Sequence, residues 1–356
     1  TVDTVEYTIE NADSDAYHTP PVKLRNPSLF KPFEFFVDMF GLPRYNEIDP
    51  TIFVALTYTI LFGIMFGDLG QGICVAVIGW LMWKYKNMAI GKILVPCGIS
   101  AAVFGTVFGS VFGFEHVLDP FYKALFGLNE KPIEVMNPSM TGSILLASAG
   151  VGLGLIIIAM MLNVYSSLKR RDYENGVFGP NGVAGLVFYT SLVFGLIGQL
   201  SGVFTMNLPY VLLLIIFPLL LVYLREPLGK LLAHEENWQP ESWGGYFLQN
   251  FFELFEMMLS YLSNTMSFLR VGAFVLVHAG MMMAVFTLAG LTSGVWYILI
   301  VIAGNIIVMA MEALLVAIQV MRLEFYEMFS RYYNGDGRPY RPLESTSGEK
   351  VFSDRI

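Results

Sequence analysis

Residues 294–332 read GVWYILIVIAGNIIVMAMEALLVAIQVMRLEFYEMFSRY, and the length of this run decides the fold. A helix crosses the ~30 Å hydrocarbon layer of a membrane with about 20 apolar residues. About 40 residues at 1.5 Å rise give on the order of 60 Å, so such a helix tilts strongly, projects from the membrane, or does both. The run at 246–289 has the same character and the same excess length. Further apolar runs at roughly 50–66, 69–85, 91–113, 139–166, 182–204 and 207–224 complete eight spanning segments. The expected fold class is an all-α integral membrane protein with about eight transmembrane helices, the last two long and strongly tilted.

Composition agrees with this reading. Of 356 residues, 55% are hydrophobic and only 14% charged, whereas a soluble domain carries about 25% charged residues. Water-soluble classes fail, and no nucleic-acid partner is expected. Cys74 and Cys97 both fall inside apolar runs, where cysteine serves as a small packing residue, so neither redox chemistry nor a metal site is expected. Residues 1–27 open with Asp3, Glu6, Glu10, Asp13 and Asp15 and later carry Pro20 and Pro21, which reads as a cytoplasmic linker, the stub of a missing N-terminal domain. Thr1 is followed by neither a basic region nor a short apolar signal segment, so the chain reads as a fragment or processed product. In the stretch 28–48, Phe30, Phe33, Phe36, Met39 and Phe40 mix with charge, which suits a helix lying at the membrane interface. The membrane domain then occupies 49–343, and 344–356 forms a cytoplasmic tail.

Lys and Arg at the segment ends set the orientation. Lys84, Lys86 and Lys92 follow segment two; Lys169, Arg170 and Arg171 follow segment four; Arg225 and Lys230 follow segment six. The linker (Lys23, Arg25, Lys31, Arg44) and the tail (Arg331, Arg338, Arg341, Lys350, Arg355) join the same side. Of 21 basic residues, only Lys123 and Lys131 face the other way, and Arg270 and Arg322 remain inside helices. Both termini are therefore expected in the cytoplasm. Gly105, Gly109 and Gly113 place three flat spots on one face of segment three, which favours close helix packing. Met281, Met282 and Met283 read as packing filler rather than as a metal site.

Ionisable groups within the last two segments stand out, because an Arg at a helix centre costs on the order of 3 kcal/mol on insertion scales and is seldom left without a partner or water. At 100° per residue, Glu256, Ser260, Ser263, Ser267, Arg270 and His278 fall within about 40° of one line, interrupted only by Phe274. In segment eight, Asn305, Glu312 and Gln319 recur every seven residues, with Arg322 about one turn beyond. Two polar stripes on adjacent long helices can face each other or a water-filled path. In the alternative arrangement Arg270 pairs with Glu312, and the serines bond carbonyls of their own helix. Arginine stays charged at any relevant pH and cannot relay a proton, but it can hold a carboxylate ionised, while Glu and His exchange protons with water. Two half-paths separated by an arginine barrier need a mobile carboxylate carrier, which this chain does not offer, so the carrier belongs to another subunit.

The runs FGIMFGDLGQG (62–72), SNTMSFLRVGAFVLVHA (263–279) and MEALLVAIQVMRLEFYEMFSRYYNGDG (311–337) resemble the membrane half of subunit a, or prokaryotic subunit I, of V-type and archaeal-type rotary ATPases. The resemblance covers nearly all of residues 20–343. It implies a stator ion-channel subunit with two offset half-channels for H+ or Na+, beside a rotating ring of proteolipid c subunits that each carry a buried carboxylate. Carried over by motif, Arg270 and Arg322 correspond to the stator arginine pair, His278, Glu312 and Gln319 to outer half-channel positions, and Glu256 to a cytoplasmic one. Gln319 stands where members of the family often have histidine. Ser263 and Ser267 belong to the same stripe. Implied partners are the proteolipid ring, E/G-type peripheral stalk subunits reached through the missing N-terminal half, a d/C-type central stalk subunit, and the lipid membrane. The short loops resemble those of prokaryotic members, which implies a plasma membrane location.

The chain has no Gly-rich phosphate loop, so a non-catalytic subunit without cofactor is expected. Two rivals stay open: a stand-alone secondary transporter or ion channel, which would conduct when reconstituted alone, and a structural scaffold whose charges lock helices together.

Overall fold

The computed structural model describes residues 20–45, 47–114, 117–126, 135, 138–170, 172–200, 202, 205–232 and 243–340. Most of the linker expected at 1–27 and all of the tail at 344–356 lie outside these residues, as do Lys131, Arg171 and Arg341. The regular elements of the described part are all helices, joined by loops and by the isolated bridges Val22–Pro339, Leu42–Gly337 and Val111–Phe114.

A 3-10 turn (Lys31–Phe33) leads into α1 (Glu34–Phe40), shorter than the helix expected over 28–48 because Gly41 leaves the helical region at φ 141°. Phe36 packs inward, its ring 4.6 Å from that of Tyr58, while Phe35 stays exposed. Then come α2 (Thr51–Phe66), α3 (Leu69–Lys86) and α4 (Ala89–Phe108). Helices α3 and α4 lie almost backbone to backbone: a Cβ on Gly98 would sit 2.4 Å from the Ala76 nitrogen, and one on Gly72 would sit 2.6 Å from that of Ala102. The expected third segment ran to residue 113, but α4 stops at Phe108. Gly109 takes the left-handed conformation that ends a helix, and the chain turns back through Phe112 (φ 51°) and Gly113 (φ 78°). Of the three glycines expected to share a packing face, only Gly105 is helical, pressed against the backbone of Leu69; the other two make the turn.

The chain continues through α5 (Asp119–Phe126), α6 (Pro138–Lys169), a π-helical turn (Glu174–Phe178) and α7 (Val183–Leu200). The next apolar run is broken into α8 (Leu208–Tyr210), a π-helical stretch (Val211–Ile216) and α9 (Phe217–Tyr223). Pro218 has no N–H to offer the carbonyl four residues back, and the widened turn lies just before it. Helix α10 (Arg225–Leu232) then departs at 77°. The two long runs follow: α11 (Trp243–Ser267) and α12 (Leu269–Gly290), separated only by Phe268, and α13 (Val295–Arg322), which passes through a π-helical turn (Leu323–Phe329) into α14 (Ser330–Tyr332).

All eight expected segments are helical, and the last two, Trp243–Gly290 and Val295–Tyr332, have the excess length that the sequence requires. By length and apolarity, five of the described helices are long enough to cross a membrane, or six if the bent pair Leu208–Tyr223 and Arg225–Leu232 counts as one span. The 16 residues of α2 rise only about 24 Å. Helix α2 lies at the centre, against α4, α12 and α13, and α12 also packs on α6. The core they share includes Phe62, Met65, Phe66, Ile156, Phe268 and Val316, all fully buried. Leucine, isoleucine and phenylalanine cover much of the outside, Leu146, Phe194, Leu213 and Ile307 among them, as suits a lipid-facing surface. Both cysteines are free, and Cys97 is buried in this packing.

Candidate functional site

Three groups of polar residues are spaced along α11, α12 and α13. The first is built where α2 gives way to α3. Gly67 ends α2 in the left-handed region, and Asp68, extended at φ −127°, caps α3 by accepting from the Gln71 amide at 2.8 Å. The same carboxylate accepts from Ser110 Oγ at 2.6 Å and from the amides of Phe112 and Gly113 at 3.0 and 2.9 Å, so the turn after α4 closes onto it. Facing it from α12 is His278, whose Nε2 lies 3.5 Å from Asp68. The other ring nitrogen, Nδ1, is 2.7 Å from a Glu312 oxygen on α13. An imidazole thus stands between two fully buried carboxylates. Beside it, Gln71 Nε2 donates to Asn305 Oδ1 at 3.0 Å. A cavity of about 600 Å³, lined by Phe66, Ser110, Met282, Thr287 and Tyr297, opens onto His278.

The second group lies one helical stretch away. Arg270 is in the first turn of α12, where Val271 N bonds back to Phe268 O at 3.0 Å and tightens the junction with α11. Its Nη2 donates to Ser267 Oγ at 2.8 Å and lies 3.7 Å from Glu327 Oε1, and Ser267 Oγ donates to that same carboxylate oxygen. Arg270 Nη1 is buried and has no partner among the described residues. Arg322, at the end of α13, is exposed. Gln319 is half-buried, its Oε1 unpartnered among the described residues.

The third group lines a cleft of about 380 Å³. Glu256 is exposed there, beside the Arg225–Glu253 ion pair (2.8 Å) and Ser260. Arg331, buried, closes one wall by donating to Asn181 Oδ1 at 3.1 Å and Ser260 Oγ at 3.2 Å, with its guanidinium 5.0 Å from the Tyr261 ring centre.

The residues singled out in the sequence therefore divide. His278 meets Glu312, and Ser267 meets Arg270, while Ser263 is exposed and Glu256 belongs to the separate cleft. The alternative pairing of Arg270 with Glu312 does not occur; the acid beside Arg270 is Glu327, because Glu312 is engaged by His278. Asp68 and Glu327 are the two members that the stripes did not reveal. Asp68 lies outside both long helices, although a lone aspartate between apolar runs is itself a signal. Glu327 is hidden by the π-helical turn: on an α-helix it would point about 140° away from Arg322.

The fold and these buried charges define a polytopic helical membrane protein with ionisable groups threaded through its interior. The sequence profile of the V-type ATPase 116kDa subunit family matches residues 2–94 and 228–345, more than half of the chain, and the chain belongs to that family. It is similar to A-type ATP synthase subunit I of Aeropyrum pernix, at 28% identity over 91% of this chain and 51% of the relative. The corresponding protein of Methanocaldococcus jannaschii is 25% identical over 91% of this chain and 49% of the relative. That of Archaeoglobus fulgidus is 41% identical over a shorter match, 24% of this chain and 13% of the relative. The chain spans about half the length of the curated relatives that it matches across most of its own length.

Proposed function

We propose that this chain is the stationary, non-catalytic ion path of a rotary ATPase, carrying ions to and from the carboxylates of a rotating proteolipid ring. The observation that supports this most directly is the order of groups along the two long helices. A Glu256 cleft lies at one end and the Asp68–His278–Glu312 cluster at the other, with Arg270 between them. With both termini in the cytoplasm, the cleft opens to the cytoplasm and the histidine cluster to the outside. Each half-path ends at the arginine level, where a permanent positive charge blocks a free ion and favours an ionised carboxylate brought by the ring. The exposed apolar face of α13, including Ile302, Ile306, Leu314 and Ile318, leads to exposed Arg322 and suits an apolar ring surface. An imidazole between two carboxylates accepts a proton on one nitrogen and releases one from the other, whereas hard cations prefer all-oxygen shells, which favours H+ over Na+ as the ion carried.

The test is ATP-driven uptake, measured alongside hydrolysis, in liposomes holding the whole complex. Arg270→Ala should abolish uptake while hydrolysis persists or falls. Uptake near the wild-type rate in that variant would sink the assignment. Uptake by the chain reconstituted alone would instead favour a self-contained transporter.

A further inference from the structure

Both long helices depart from α geometry at the same place. The first is interrupted at Phe268, between Ser267 and Arg270. The second widens into the π-helical turn at Leu323–Phe329. Single widened turns inside helices are frequent at functional sites. Here the geometry has a specific result. Five residues of α-helix advance about 500°, leaving Glu327 some 140° from Arg322. An i→i+5 turn closes about one residue later, so Glu327 comes round toward the face that carries Arg322. It arrives beside Ser267 and Arg270, 4% exposed, with one oxygen engaged and Oε2 unpartnered among the described residues.

Resting on the reading of Arg270 as the stator charge, we propose that Glu327 is the positioning residue of that arginine, acting through Ser267. Among the described residues the guanidinium is anchored along one edge: Nη2 is held by Ser267 Oγ and lies beside the Glu327 carboxylate, while Nη1 is buried and has no partner there. A planar fork held on one side keeps its other donors in a fixed direction, which sets how a carboxylate from outside this chain has to approach the guanidinium. Glu327 also brings a carboxylate oxygen to 3.7 Å from the Arg270 guanidinium. Without it, Arg270 keeps its charge but loses its aim.

The experiment measures ions taken up per ATP hydrolysed in liposomes holding the whole complex. General damage to the fold lowers uptake and hydrolysis together and leaves that ratio unchanged; a misaimed arginine lowers the ratio itself. Glu327→Ala should lower it by roughly tenfold, the scale of a lost charge-assisted hydrogen bond. Glu327→Gln, which keeps the volume and an acceptor for Ser267 but no charge, should fall between Ala and wild type. Glu327→Asp should restore most of the ratio. Ser267→Ala, which cuts the bridge without touching a charge, should lower it less than Glu327→Ala. A wild-type ratio in Glu327→Ala, beside an Arg270→Ala control that abolishes uptake, overturns the assignment to Glu327 and leaves the ion path standing. Should Glu327→Ala not assemble, wild-type ratios in both Glu327→Gln and Ser267→Ala overturn it equally. Uptake that survives Arg270→Ala removes the ion path and this inference together.

Discussion

Asp68 has more hydrogen-bond donors aimed at it than any neighbour in its cluster: three amides and a hydroxyl, all at 2.6–3.0 Å. Losing the carboxylate strands those donors in a buried site, and each stranded buried donor costs on the order of 1 kcal/mol or more. Asp68→Ala should therefore lower the thermal stability of the solubilised complex by about 3 kcal/mol or more, because the start of α3 and the turn at 109–113 come loose together. Glu312→Gln keeps shape and burial and exchanges a charge-assisted bond to His278 for a neutral one, a smaller loss of about 1 kcal/mol. Its main effect should be on ion uptake. Differential scanning of the two variants separates the roles; equal melting shifts would contradict the view of Asp68 as the hinge pin of two turns. Ser263→Ala, at an exposed position away from these contacts, should leave both readouts near wild type.

At the scale of the helices, what the sequence revealed depended on how regular each helix is. His278 and Glu312 stood out because both lie in uninterrupted α-helix, where rotation per residue is known and an ionisable group inside an apolar run costs energy unless partnered. The ends of α4 and α1 were harder to place, since a glycine that stops a helix and one that packs two helices look alike until φ is known. The π-helical turn was not legible at all, and it moved Glu327 out of view. That turn can be tested as an element. Deleting exposed Tyr326 brings the glutamate to four residues after Arg322, about 40° away, so the segment returns to α geometry with the carboxylate still on the right face. Inserting one alanine after Tyr326 adds about 100° of rotation and carries the carboxylate away. The deletion should keep most of the coupling ratio and the insertion should lose it. The reverse order would show that the widened turn serves some purpose other than presenting Glu327.

Across the whole molecule, the two ends of the described chain are fastened to each other beyond the arginine level. Val22 N bonds to Arg338 O at 2.8 Å, Tyr340 N to Val22 O at 3.0 Å, Gly337 N to Leu42 O at 2.7 Å, and Tyr333 donates its hydroxyl to Gly41 O. Phe40 sits among Phe325, Phe329 and Tyr333, its ring 4.9 Å from that of Phe329, so α1 buttresses the turn that presents Glu327. A stator that resists a turning ring needs its ion path braced against sideways load, and this clasp ties the end of the last helix to the chain on both sides of α1. Two variants distinguish which of its contacts hold. The Arg44–Asp336 pair is 2.7 Å apart, but both side chains are about half exposed, and exposed ion pairs contribute roughly 0–1 kcal/mol. Arg44→Ala should therefore leave hydrogen exchange across 20–45 and 333–340 almost unchanged. Gly337→Ala is different in kind, because a Cβ there would fall 2.0 Å from the Pro43 carbonyl oxygen, and backbone rather than a flexible side chain has to move. Exchange should rise in both strands of the clasp, and the ratio of uptake to hydrolysis should fall as Phe40 withdraws from the π-helical turn. If exchange rises while coupling holds, α13 keeps its geometry through its packing on α2 and α12 alone, and the clasp secures the chain ends without bracing the ion path.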